Sequence, residues 1–450
     1  MNAMQIRATS LAFSLASAIF LVQPAAAGIP IQQWTQASGA QVFLVESPAI
    51  PMVDVQIDLD AGARRDPADK PGLANLMAAA TAYGVKARGG LAALDENALS
   101  DAWTDLGASF GGSAGTDRLS FTLRSLTYPD LSDKAAALAA RQLAEPDFPE
   151  APWLRDRPKM VASLKEADTR PATVAARAFA KAVYGSHPYG AQSTEASLNR
   201  IQVGDLRALH AAALRPCAAR VSVVGALNRA QADALVAQML SLLPASGCTP
   251  PAPVAEVAPL LAPSEQRIAF ASSQAHVLLG QPGFKRNAPD YFALIVGNHI
   301  LGGGGFTARL TEEVREKRGL TYSVYSYFSP GLHAGAFTIG LQTRPDQAQQ
   351  ALDLVREVLD RFVREGPTEA ELQAAKDNLI GGFALRLDSN RKLLDNVANI
   401  AWNGLALDYL DTWTRQVQQL TVTEVRAAFA RTVNPARMAT VLLGAPDAAQ

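Results

Sequence analysis

Two stretches decide the fold. VGDLRALHAAALRPCAARVSVVGA runs from Val203 to Ala226, and VTEVRAAFARTVNPARMATVLLGA runs from Val422 to Ala445. At one constant offset of 219, Val203 meets Val422, Asp205 meets Glu424, Arg207 meets Arg426, Pro216 meets Pro435 and Gly225 meets Gly444. Each copy reads as an amphipathic helix, a proline break, and an apolar strand ending in glycine. So many matches without a gap predict that the chain duplicates one α+β unit.

Working outward, the two copies close two halves of similar size. Between them, Thr249-Pro250-Pro251-Ala252-Pro253 continues through Pro259 and Pro263 with no hydrophobic period. A linker is expected over 249–265. The units are then 28–248 and 266–450. In the first, Gln41–Val45 and Val53–Leu59 alternate as paired strands, and Leu119–Leu123 is a third. Leu73–Met77 reads as a helix behind Pro71, and further helices fall over 132–144, 154–166 and 172–184. In the second, His276–Gly280 and Ala336–Leu341 read as strands, and Tyr291–Leu301 and Ala348–Glu365 as helices. The expected class is α+β: two duplicated α/β sandwiches, each a mainly antiparallel sheet backed by helices, in a clamshell arrangement.

Composition narrows the function classes. The chain has 450 residues, 48% hydrophobic against 18% charged, which excludes a disordered protein. A net charge of −1 with no polybasic tract excludes electrostatic binding to nucleic acid or anionic lipid. Residues 1–27 carry Arg7, an apolar run from Leu11 to Val22, and Ala25-Ala26-Ala27 before Gly28. This is a signal-peptide pattern, and the run is shorter than the roughly 20 residues a membrane span needs. An exported chain is expected, periplasmic in a Gram-negative source, with no membrane span after cleavage. Its two cysteines, Cys217 and Cys248, are expected to form a disulfide; two separate thiols are the alternative.

Several tempting motifs fail. Val221–Gly225 precedes a helix but lacks G-x-G-x-x-G, and Gly302–Gly305 lacks the Lys-Ser/Thr of a phosphate loop. No G-x-S-x-G elbow occurs. The histidines are scattered, and His210 falls on Phe429 in the duplicate, which suggests a packed ring. The informative region is Leu301 to Gln342, LGGGGFTARLTEEVREKRGLTYSVYSYFSPGLHAGAFTIGLQ. Phe306, Leu310 and Val314 share one helix face. Glu312 and Glu313 lie early in that helix and Arg315, Lys317 and Arg318 late, matching the macrodipole. Gly319 is the expected C-cap, and Tyr322, Tyr325 and Tyr327 enter a strand.

This stretch resembles the second-half signature of the insulinase/pitrilysin family, in the branch of two-domain bacterial and mitochondrial-processing-type proteins. Gly62-Ala63-Arg64, Gly72-Leu73-Ala74, Tyr184–Gly190 and Val223-Val224-Gly225 echo it. Active members carry His-x-x-Glu-His on the helix after the Gly-Leu-Ala stretch. Two histidines there bind zinc from one helix face, and the glutamate activates water. Asn75, Ala78 and Ala79 stand at those positions, so the resemblance implies no metal on this chain. Family members also use an Arg and a Tyr seven residues apart, which Arg315 and Tyr322 match. A guanidinium can pair with peptide oxygens, and a phenol can donate to a developing oxyanion. Gly302, Gly303, Gly304 and Gly305 would permit close approach of a substrate backbone; a flexible turn is the other reading.

The implied function is that of a non-zinc-binding subunit, inactive alone. A zinc-bearing partner chain would complete a heterodimer that hydrolyses peptides. The alternative is a non-enzymatic peptide-binding or assembly module of the cell envelope.

Overall fold

Along one strand, Val53, Val55, Ile57 and Leu59 alternate with Asp54, Gln56 and Asp58, and all seven are buried. Alternation with burial on both sides requires that both faces of the sheet be covered. The computed structural model, which describes residues 28–445, shows what covers them. The expected signal segment lies outside the described residues.

The first half runs β1 (Gln32–Thr35), β2 (Gln41–Glu46), β3 (Met52–Leu59), α1 (Leu73–Ala80), a short β4 (Gly84–Val85) and β5 (Leu94–Asp95) ladder, and α2 (Glu96–Asp105). It continues through β6 (Ser109–Ala114), β7 (Leu119–Leu126), α3 (Pro129–Ala144), α4 (Glu150–Ala167), α5 (Pro171–Tyr184), α6 (Glu195–Arg200), α7 (Val203–Ala213), β8 (Arg220–Gly225) and α8 (Arg229–Leu240). The second half runs β9 (Ser264–Ile268), β10 (Ala275–Pro282), α9 (Tyr291–Asn298), β11 (Thr321–Phe328), β12 (Ala336–Thr343) and α10 (Ala348–Glu365). It ends with α11 (Glu369–Gly381), α12 (Asn390–Asn403), α13 (Tyr409–Gln419), α14 (Val422–Thr432) and β13 (Ala439–Leu443).

The sheets are ordered β1-β2-β8-β3-β7-β6 and β11-β12-β10-β13-β9. Reading the second backwards, β9, β13, β10, β12 and β11 repeat β2, β8, β3, β7 and β6. Each sheet has one parallel pair, β2 with β8 and β9 with β13, and is otherwise antiparallel. The offset of 219 carries α7 onto α14, and it also carries α5 onto α12 end to end.

Those last two helices change sides. In α5, Ala175, Phe179 and Val183 pack on Ala336, Ala439, Val441 and Leu443 of the second sheet. In α12, Leu393, Leu394, Val397 and Ile400 pack on Phe43, Val45 and Val224 of the first. Each half therefore covers one face of its own sheet and one face of its neighbour's. Gly280 in β10 marks the contact: a Cβ there would lie 2.8 Å from the Phe179 ring and closer still to the Phe337 carbonyl.

Some expectations shift by a turn. β9 begins at Ser264, so the last two residues of the expected linker are strand. The helix expected over Tyr291–Leu301 is α-helical only to Asn298, and His299–Gly303 continues it as a π-turn. The proline-rich segment lies along the protein surface. Arg65 donates to the Ala252 carbonyl at 2.8 Å, and the His187 ring meets the Ala255 carbonyl at 2.9 Å. Cys217 and Cys248 are joined as a disulfide, with Cα atoms 6.1 Å apart.

Two outcomes follow from this packing. Phe179→Ala removes a buried ring and leaves a cavity between the halves, so it should cost about 3–5 kcal/mol. Denaturant melts followed by circular dichroism should show the loss in one cooperative transition, with no separately melting half. His210 faces Phe148 edge-on, and its ring nitrogen lies 2.7 Å from the Leu143 carbonyl. Burial holds its pKa below the ordinary 6.5. The unfolded chain therefore takes up the extra proton first as pH falls, so this group's stability is full above 6.5 and is lost as acid passes through its lowered value. His210→Phe should flatten the acid loss measured by melts between neutral and mildly acidic pH. The flattening should be partial, because burial shifts His276 and His299 the same way.

Candidate functional site

Two places on the duplicated frame could carry chemistry. The first is α1. Asp66 caps it, accepting from Gly72 N at 2.7 Å and Ala74 N at 2.9 Å. Leu73, Leu76, Met77, Ala78 and Ala80 are buried, which turns Asn75 and Ala79, one turn apart, outward. The frame of a two-ligand helix face is thus present without its ligands. The Asn75 side chain accepts weakly from Ala114 N on β6 at 3.4 Å. Ala78 is fully buried, and a Cβ on Gly112 of β6 would sit 2.9 Å from its carbonyl. An amide and two methyl groups do not fit a zinc ion. Among the described residues no group of three or more His, Cys, Asp or Glu is placed to hold a metal.

The second is the segment from α9 to β11. Leu310 and Val314 are buried, but Phe306, expected on the same helix face, lies in a separate 3-10 turn and is exposed, and the backbone over Thr311–Glu316 is π-helical. Such widened turns often mark functional positions. Arg315 stacks over the Phe306 ring at 4.7 Å, with its Nε 3.2 Å from the Glu316 carboxylate. Gly319, at φ +62°, reverses the chain into β11. The β11–β12 register then slips between Thr321 and Ser323. A bulge of this kind re-aims a side chain, and Tyr322 is 85% exposed. Arg315 and Tyr322 line one open cleft of about 670 Å³ with Gln342 and Arg344. Among the described residues nothing hydrogen-bonds the Tyr322 hydroxyl.

The four glycines sit elsewhere. Gly302 is buried, and a Cβ on it would lie 2.5 Å from Ser326 Oγ and 2.6 Å from Ser326 N. Asn298 donates to the Ser326 carbonyl at 3.0 Å and accepts from its hydroxyl at 2.8 Å. The run thus lets the end of α9 dock on β11 and cover part of that edge strand. Gly303 packs on Asn298, Gly304 approaches His299, and Gly305 takes φ +64° in open space. None of the four lines the Arg315–Tyr322 cleft.

A third cluster has no place among the candidate residues, although the sequence motifs contain it. Arg64, 4% exposed, pairs with Asp60 at 2.5 Å and Asp117 at 3.0 Å. Tyr189 donates to Asp117 at 2.7 Å and accepts from His333 N at 3.0 Å. Asp117 also accepts from Leu332 N at 2.9 Å. Burial and the Asp117 carboxylate hold the Tyr189 hydroxyl well above its ordinary pKa, so it remains a donor. The Gly62–Arg64 and Tyr184–Gly190 motifs are therefore the strut between the halves. An arginine and a tyrosine inside quoted motifs were the only signal, and nothing in one sequence says that they meet.

Fold and signature together define an α+β protein of the peptidase M16 kind. The comparisons agree. The family model described as the peptidase M16 inactive domain matches residues 200–379. The crystal structure of a peptidase M16 inactive domain from Pseudomonas fluorescens is 35% identical, with a TM-score of 0.86 over 93% of this chain and 99% of that one. A non-peptidase homolog, YmxG of Helicobacter pylori, is 26% identical over 408 residues, 89% of this chain and 90% of its own. An uncharacterized zinc protease of Streptomyces coelicolor is 37% identical over 158 residues; the match spans 34% of that protein's length. The chain belongs to the peptidase M16 family, as the Leu301–Gln342 signature implied. Among the described residues no helix is long and apolar enough to cross a membrane.

The glycine geometry is testable. Gly302→Ala should overpack the α9–β11 contact and cost about 1–3 kcal/mol in a denaturant melt. Gly304→Ala should cost less, because its Cβ would meet the movable His299 ring edge at 3.1 Å as well as a carbonyl at 2.7 Å. Equal losses would show that the run has no single tight point.

Proposed function

We propose that this chain is the non-zinc-binding subunit of an exported, two-chain M16 peptidase. It would bind peptide and stabilise the transition state in hydrolysis carried out with a zinc-bearing partner. The observation that carries this reading is an asymmetry. The α1 helix has Asn75, Ala78 and Ala79 at the expected ligand positions, while Tyr322, 85% exposed, lines one cleft with the half-buried Arg315, and neither side chain fills the core. The partner would supply both the metal and the general base. This chain would supply a guanidinium that holds peptide oxygens and a phenol that donates to the oxyanion.

Peptide backbone would join a sheet edge, with alternate side chains in pockets. Asn298 and Gly302 obstruct β11 at Ser326. β6, outermost in the first sheet and beside α1, is the freer edge. A second reading, a non-enzymatic envelope module, is favoured by the name of the Helicobacter relative, a non-peptidase homolog.

Coexpression with a zinc-bearing M16 chain, then cleavage assays of each chain and of the pair, separates the two. Arg315→Ala and Tyr322→Phe should leave the heterodimer intact by gel filtration. Each should lower turnover, on the order of 10²–10³-fold for a lost oxyanion donor. Arg315→Ala should also raise the apparent KM, and Tyr327→Phe, in the same strand, should be nearly silent. Wild-type rates with both changes present would replace this reading with the envelope module.

A further inference from the structure

The end of α12 closes a second cavity, which shares no lining residue with the Arg315–Tyr322 cleft. Its volume is about 500 Å³, within the range of small-molecule sites. Three parts of the chain build it. The first half gives Gln41, Asp60 and Arg220. The first half also gives the Cys217–Cys248 disulfide, and the linker gives Thr249–Pro251. The second half gives Leu332 and Trp402.

The charges around this cavity do not cancel. Asp60 is held by Arg64 at 2.5 Å and Arg65 at 2.7 Å. Asp58, opposite Arg220 in the β3–β8 ladder, is taken by Arg118 at 3.1 Å, Ser120 at 2.5 Å and Gln56 at 2.9 Å. Arg220 itself makes one hydrogen bond, to the Trp402 carbonyl at 3.1 Å. Its guanidinium lies 5.2 Å from the centre of the Trp402 ring. Among the described residues no carboxylate lies within ion-pair distance of it. Trp402 is 5% exposed, and its indole N–H has no partner. A guanidinium has five donors in a planar fork, and a buried indole N–H without an acceptor is costly. The Trp402 ring, Pro250, Pro251, Leu332 and the disulfide give an apolar stretch of wall, interrupted by the polar side chains of Gln41, Thr249 and Asn403.

We propose that this cavity binds a small organic carboxylate bearing an apolar group, with the carboxylate paired to Arg220 and the apolar group against Trp402. The carboxylate could belong to the C-terminus of a short peptide or to a free acid; the recognising chemistry is the same. Such a ligand would touch both halves and the linker at once. The proposal concerns the chain alone and does not rest on a partner or on peptide hydrolysis.

The test is titration of the isolated chain, read by tryptophan indole N–H signals in NMR and by calorimetry. The probes are N-acetyl-leucyl-leucine, its C-terminal amide, isovalerate and inorganic phosphate. The acid forms should bind and shift the Trp402 indole signal, assigned by its loss in Trp402→Phe. The amide should bind more weakly, on the order of tenfold, because the charge-assisted pair is gone. Arg220→Gln should weaken acid binding by a similar factor with an unchanged melt, and Arg220→Lys should fall between. Arg361→Gln, on α10 and lining neither cavity, should bind as wild type. The ratio of dipeptide to isovalerate affinity tells peptide termini from free acids. Equal binding of acid and amide, undiminished binding by Arg220→Gln, tighter binding of phosphate than of either acid, or no binding by the wild type would each overturn the proposal.

Discussion

The structure depends on one reciprocal constraint: each sheet has two faces to bury, and each half brings helices enough for only one of its own. The missing cover comes from the other half, α5 going one way and α12 the other. Neither sheet could remain folded with that face in water. As soon as α12 withdrew, Phe43, Val45 and Val224, on β2 and β8, would face water. The two cores are therefore one folding unit in energetic terms, although the chain passes between them through an irregular proline-rich segment.

The exchange also determines where polar chemistry can lie. The face of β3 turned toward α12 carries Asp54, Gln56 and Asp58. Arg124 satisfies Asp54 at 2.7 Å and Arg118 satisfies Asp58. Burial drives the Asp58 carboxyl upward in pKa against the pull of Arg118. Such ionic contacts add little net stability, but breaking one member strands a buried charge. They act with the Arg64–Asp117–Tyr189 strut to fix how the halves meet. Clefts and cavities then form where covering helices end, at Trp402 on one side and at the Arg315 turn on the other.

Much of this was legible in the sequence. The 219-residue offset identified the duplication because a repeated strand–helix unit needs the same residues at its closing turn, as with Pro216 and Pro435 or Gly225 and Gly444. Strand alternation placed β3 and β7. The exchange was not legible. Amphipathicity says that α5 has an apolar face, and Phe179 and Val183 mark it, but periodicity carries no address for the surface it will meet. The π-turns escaped for a related reason. Leu310 and Val314 satisfy the burial pattern of an α-helix, and that pattern does not tell a π-turn from an α-turn over so few residues. The glycines read as a place for a ligand backbone because a ligand and a strand edge make the same demand on a missing Cβ.

The two candidate centres differ in how far packing claims their side chains. At α1 one of the three expected ligand positions, Ala78, is part of the packing. Ala78 is buried with its carbonyl close under β6, so a carboxylate returned to that position would enter without a partner to neutralise it. At the Arg315 turn the reverse holds. Tyr322 spends a large aromatic side chain on solvent, receives no hydrogen bond, and is turned outward by a register slip that an uninterrupted ladder would not have. Arg315 is kept near it by Phe306, which is itself 69% exposed. None of these three side chains fills the core, and replacing all of them by small polar residues would leave Leu310, Val314 and Val324 packed as they are. A chain shaped only for stability would have no reason to hold them there, which is the physical ground for assigning them to contact with another molecule.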